Sequence, residues 1–173
     1  HLGASGAGFQ ALTAYGKMVP GKFREMVNRH VLPVPRVDLG RRISRSGVAS
    51  AMIDVSDGVA GDLYHVCTRS GVGAEIHEDL LPLPERIGEI ARKSGKSVLE
   101  LALHSGEDYE LLFTVPPGVS ERRIRSLPGG SGIPVTEIGR IVTREEGYSL
   151  VDSRGKKRPL TPAGWDHFRT PRG

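Results

Sequence analysis

The longest apolar stretches in this chain, such as Leu111–Val115, are no longer than a β-strand. Crossing a bilayer takes a helix of about 20 predominantly apolar residues, so no membrane span is expected. A chain of this kind has to assemble its core from short elements, and glycine and proline mark where those elements stop. Small and apolar residues at helical spacing predict a helix over 5–17. Phe23, Met26, Val27 and Val31 predict a second, ended by Pro33 and Pro35, and a third is expected at 37–46, stopped by Gly47. The apolar run at 49–55 reads as a buried strand. Ser56-Asp57-Gly58 breaks it before a helix over about 58–70 that Gly71 ends.

Further along, Ala74–His77 reads as a strand, and helices at 85–94 and 97–103 are separated by Gly95. Tyr109–Val115 is the clearest strand, bounded by Glu107-Asp108 and Pro116-Pro117, and a helix near 119–126 follows it. Val135–Val142 and Tyr148–Val151 read as adjacent antiparallel strands joined by the charged turn Arg144-Glu145-Glu146-Gly147. No repeat and no linker interrupts the pattern. Residues 1–173 therefore read as one α+β domain, with helices packed on a mixed, largely antiparallel sheet.

Composition narrows the partners. Hydrophobic residues make up 38% and charged residues 25%, as in an ordinary folded domain. The net charge of +4 comes from 24 basic and 20 acidic residues that are scattered, and aromatics are only 5%. Nucleic-acid binders concentrate their charge and add stacking aromatics, so no nucleic-acid partner is expected. Cys67 is the only cysteine, which rules out an internal disulfide and fits a reducing cytoplasm. No basic-then-apolar leader opens the chain, and His1-Leu2-Gly3 enters a glycine-rich stretch without methionine, so a processed or truncated piece is expected.

Three stretches can carry chemistry. In Ile53-Asp54-Val55-Ser56-Asp57-Gly58, two carboxylates and a hydroxyl crowd a strand-to-helix junction. Asp54 and Asp57 suit a hard cation such as magnesium, and Ser56 with the helix N–H groups suits phosphate. The plainer reading is that Ser56 or Asp57 caps the helix. In Ser105-Gly106-Glu107-Asp108-Tyr109-Glu110-Leu111-Leu112-Phe113, two acids precede an apolar strand, either facing a ligand or simply solvated. In Gly164-Trp165-Asp166-His167-Phe168, the tryptophan either anchors the chain end or offers a flat face for a ring. The opening Gly3–Gly8 stretch lacks the Lys-Ser/Thr ending of a P-loop, no G-x-S-x-G elbow occurs, and the dispersed histidines lack helical zinc spacing.

Taken in order, Leu2-Gly3-Ala4-Ser5, Pro33-Val34-Pro35-Arg36-Val37, Ile53–Gly58, Gly71–Ile76, Ser105–Phe113 and Gly164–Phe168 resemble the C-terminal half of the thiamine-monophosphate kinase family. The resemblance covers essentially the whole chain and departs from the family at Ser105, where glycine is usual. Its superfamily includes aminoimidazole ribonucleotide synthetase, selenophosphate synthetase and a hydrogenase maturation dehydratase. A related ATP-using synthetase, or a non-catalytic ligand-binding domain, is therefore the alternative reading.

The resemblance implies transfer of the ATP γ-phosphoryl group to thiamine monophosphate with magnesium ions. Asp54 and Asp57 would hold metal, Ser56 would contact ATP phosphates, and Glu107 and Trp165 would bind the thiamine portion. No residue is implied as a catalytic base. The resemblance also implies a missing N-terminal ATP-binding half, a homodimer in the complete protein, and a chain that is inactive alone.

Overall fold

In the computed structural model, which describes residues 1–129 and 131–162, helices and short strands intermix along the chain. The helices are α1 (Ala4–Tyr15), α2 (Arg24–Val31), α3 (Val37–Ser46), α4 (Val59–Ser70), α5 (Ile87–Ser94), α6 (Val98–His104) and α7 (Glu121–Arg125). The strands are β1 (Ala51–Asp54), β2 (Gly73–His77), β3 (Leu111–Thr114), β4 (Gly139–Val142), β5 (Tyr148–Val151) and β6 (Lys157–Pro159).

Local chemistry accounts for the helix bounds. In α3, Leu39 and Ile43 lie four apart and are buried, while Arg41, Arg42 and Arg45 face solvent. Gly47 ends it in the left-handed conformation that favours glycine. Gly95 closes α5 in the same way. Ser97 then opens α6, its side chain accepting the Glu100 N–H at 3.0 Å.

The strands form two sheets among the described residues, where the sequence reading expects one. β1 pairs antiparallel with β3, and a second sheet runs β4-β2-β5-β6. In the second sheet β2 is antiparallel to β4 and parallel to β5, and β5 is antiparallel to β6. The mixed, largely antiparallel character holds. The expected hairpin between 135–142 and 148–151 does not, because β2 lies between those strands.

The reason is steric. The chain from Thr143 to Gly147 passes over the start of β2, and the carbonyls of Thr143 and Gly147 both press on Gly73 where any side chain would sit. A residue without a Cβ lets the turn bridge two strands separated by a third. Tyr109 also falls outside the strand expected at 109–115, because its φ is 48°, in the left-handed region.

Three apolar clusters hold the layers together. Val59, Ala60 and Leu63 of α4 pack with Ile76 of β2, Leu150 of β5 and Leu103 of α6. Ala7 and Ala11 of α1 meet Phe23, Met26 and Ile90 in a second cluster, and Leu39, Ile43, Val48 and Leu127 form a third. Within β2, Glu75 is 2% exposed and pairs with Arg140 of β4 and with Lys157 of β6. Lys157 first, then Arg140, holds the Glu75 carboxyl below the usual carboxylate range.

Gly73→Ala is expected to cost about 2–4 kcal/mol, because the new methyl meets backbone rather than a flexible side chain. Urea unfolding of the variant checks it, and an unchanged midpoint would show that the turn can move aside.

Candidate functional site

The end of β1 and the segment that enters β3 continue their pairing past the regular strands. Val55 N–H donates to the Glu110 carbonyl at 2.9 Å, Tyr109 N–H to the Val55 carbonyl at 2.9 Å, and Glu107 N–H to the Ser56 carbonyl at 2.8 Å. This ladder lays Ile53–Gly58 directly beside Ser105–Phe113. The approach is close at Gly106, where a Cβ would fall 2.6 Å from the Ser56 carbonyl oxygen. To follow it, Glu107 and Tyr109 take positive φ angles of 57° and 48°. Such conformations are uncommon outside glycine, and they aim side chains in ways a regular strand would not.

Neither Ser56 nor Asp57 caps α4. The helix begins after Gly58, which occupies the N-cap position without a side-chain bond. The loop is organised from the other direction by Asp62, in the first turn of α4 and 3% exposed. Its Oδ2 accepts the N–H groups of Ser56 and Asp57 at 3.0 and 3.1 Å. Burial pushes the Asp62 carboxyl up, the two amides pull it down, and the neighbouring Asp57 and Asp54 charges raise it again. Asp62 is thereby committed to backbone. Asp54 is exposed and Asp57 half-buried, and neither accepts a hydrogen bond or ion pair among the described residues.

These two carboxylates suit magnesium, which binds through one or two carboxylates and keeps waters or substrate phosphates for its remaining positions. Among the described residues no three His, Cys, Asp or Glu side chains come together to enclose a metal ion. Asp54 and Asp57 thus form an open, partial donor set rather than a closed cage.

The second motif carries more structural work than its sequence shows. Asp108 is not a solvated surface acid. Its Oδ2 accepts the Gly3 N–H at 2.6 Å and its Oδ1 the Ser5 N–H at 3.0 Å, satisfying open amides at the start of α1. Burial pushes its carboxyl from 3.8 to about 6, outweighing the pull of the two amides. Arg36 donates from Nε and Nη2 to the two Glu110 oxygens at 2.8 Å each, a bidentate pair that ties Pro33–Val37 to the same place. Ser105, the departure from the family pattern, lies against Gly6 of α1, whose missing side chain leaves it room.

Four of the motifs named above therefore converge. Glu107 stands 60% exposed at the edge of the group. Trp165, like the rest of Gly164–Phe168, lies outside the described residues. Asp62 and the Arg36–Glu110 pair were not singled out from the sequence, and Asp108 was read only as one of two acids facing a ligand or solvent, not as a partner of backbone amides. The only local signal for Asp62 was an acid in the first turn of a helix that follows Ser-Asp-Gly.

The sequence profile of the AIR synthase related protein, C-terminal domain, matches residues 3–152. The chain is 38% identical to the thiamine-monophosphate kinase of Aquifex aeolicus over 168 residues, which are 96% of this chain and 49% of that protein. It is 36% identical to the thiamine-monophosphate kinase of Rhodopirellula baltica over 145 residues, 84% of this chain and 45% of that one. Among solved structures, AaThiL complexed with AMPPCP and TMP superposes with a TM-score of 0.74 at 35% identity. That match covers 96% of this chain and 48% of the other. The chain spans about half the length of the curated relatives it matches.

The Asp108 carboxyl has a folded pKa above its unfolded value, so its contribution to stability is full below about pH 4 and is lost as pH rises through about 6. Asp108→Asn removes that titration. The stability of the parent relative to the variant is expected to fall by up to about 3 kcal/mol over this window and stay flat above it. Denaturant unfolding at several pH values measures the difference, and a constant gap from pH 4 to 7 would rule the titration out.

Proposed function

The chain belongs to the AIR synthase related protein family, as its C-terminal domain, and on that premise we propose that it is the C-terminal half of a thiamine-monophosphate kinase. The observation that carries this reading is the convergence of four of the family's motifs in one place. There Asp54 and Asp57 hold unengaged carboxylates beside the exposed Glu107. The likeness to kinases of two organisms, and to a structure holding AMPPCP and TMP, supports it.

In this reading the reaction moves the γ-phosphoryl group of ATP onto the phosphate of thiamine monophosphate. Two polyanions must be brought together, so positioning and charge compensation supply the rate. Asp54 and Asp57 hold magnesium, which when bound neutralises phosphate charge and orients oxygens for in-line transfer. Asp62 keeps the Ser56 and Asp57 amides fixed, so the Ser56 hydroxyl is presented at a set position for an ATP phosphate oxygen. Glu107 accepts from the cationic or amino-bearing part of thiamine, and Trp165 stacks on it. No side chain has to remove a proton, because the acceptor phosphate is already ionised at neutral pH.

An N-terminal half completes the ATP site and carries the homodimer contact, so this chain alone does not turn over. Measurable turnover by the chain alone would refute that division of labour. The test of the reaction uses the full-length gene product with thiamine monophosphate, ATP and magnesium, with thiamine diphosphate detected by mass. Asp54→Asn should lower kcat about 100-fold or more at an unchanged melting temperature. Undiminished turnover would remove Asp54 from the metal set. Trp165→Ala should weaken thiamine monophosphate binding more than ATP binding, and equal losses would leave Trp165 a structural anchor.

A further inference from the structure

We propose that His30, which lies outside every motif singled out in the sequence, is the positioning residue for Glu107. The inference rests on the reading of Glu107 as a contact to the thiamine portion of the substrate.

His30 sits in the last turn of α2, and the close crossing of α1 and α2 carries it to the site. At Gly8 a Cβ would strike the Met26 carbonyl and come within 3.0 Å of the His30 Cβ, so a larger residue would push the helices apart. The crossing puts the His30 ring against Phe9, with centroids 5.4 Å apart and planes inclined at 59°. It also puts Nδ1 at 3.0 Å from the Ser5 hydroxyl oxygen, and Ser5 is 1% exposed. The Ser5 amide is in turn held by Asp108, the residue next to Glu107. His30 is thus fixed from two sides by groups that belong to the same construction.

The same Nδ1 lies 4.0 Å from Glu107 Oε2. In the tautomer that carries its proton on Nδ1, the ring donates to the Ser5 hydroxyl oxygen and presents the positive end of the N–H on the side where Glu107 lies. Glu107 needs such a guide. Its backbone is set by the bond to Ser56 and by its positive φ, but its side chain stands 60% exposed and meets no other charged partner than His30 among the described residues. A carboxylate that must meet a cationic ring loses affinity if it first has to be ordered. A ring nitrogen held at a fixed place supplies that order before substrate arrives. A residue that acts by ordering Glu107 is expected to affect the binding of one substrate and not turnover.

The test uses the full-length protein. His30→Ala is expected to raise KM for thiamine monophosphate about 5- to 10-fold while KM for ATP and kcat change less than about twofold. His30→Asn, whose amide nitrogen can stand near the lost Nδ1, should recover most of the loss. In a Glu107→Gln background His30→Ala should add no further loss, since the group it orders is gone. Equal rises in both KM values, or full additivity with Glu107→Gln, would overturn the inference while leaving Glu107 in place. If Glu107→Gln itself leaves KM for thiamine monophosphate unchanged, the reading of Glu107 fails and this inference fails with it. Should His30→Ala not fold, His30→Phe keeps the ring against Phe9, removes the nitrogen and carries the same comparison.

Discussion

The carboxylate of Asp108 holds the candidate site together. A helix that starts with no capping side chain leaves amides exposed, and α1 starts this way after Gly3. Asp108, 105 residues away from Gly3, supplies the missing acceptor twice. One half-buried group therefore decides where α1 begins, how Ser5 is presented and where the segment entering β3 must run. Its burial works against its charge, which is the expected cost of placing a carboxylate where only backbone amides compensate it. Around it, the Arg36–Glu110 pair and the ladder between residues 55–56 and 107–110 repeat the same logic: distant motifs joined by few, well-aligned polar contacts.

The acids of the site divide by what they face. Asp62 and Asp108 are turned inward onto backbone N–H groups and build the loops. The Asp54 and Glu107 side chains are exposed and that of Asp57 half-buried, and none of the three has comparable backbone bonds among the described residues. Aspartates of identical composition thus do opposite jobs within a few residues of one another. For the phosphoryl transfer proposed above the distinction matters, since positioned charge there counts for more than proton removal. Asp62 fixes the Ser56–Asp57 loop from the first turn of α4.

Charge is handled differently in the second sheet. Glu75, buried in β2, is paired from both flanks by cations whose own ends reach solvent. Those pairs cross from β2 to β4 and to β6, the strands on either side of the β2–β5 core pair. They also specify register, since a one-residue slip would turn the carboxylate to the other face of the sheet.

Most helices and strands were legible from the chain, because apolar spacing and glycine stops act over a few residues. Leu39 with Ile43, Gly47, Gly71 and Gly95 are examples that needed no distant contact. The motifs that carry Asp54, Asp57 and Glu107 were legible too, since they stand in the chain as short ordered strings. The β4–β5 hairpin was misread because a charged turn looks the same whether it closes two strands or steps over a third. Only the contact of Thr143 and Gly147 with Gly73 separates the two cases. Capping by Ser56 or Asp57 was misread for a similar reason: the competing acceptor, Asp62, wins by geometry that composition does not encode. The sequence by itself determined the elements and the residues that can do chemistry. The tertiary structure alone decided which acids are spent on backbone, because that choice depends on donors the fold brings together, from five and six residues away for Asp62 and from more than 100 for Asp108.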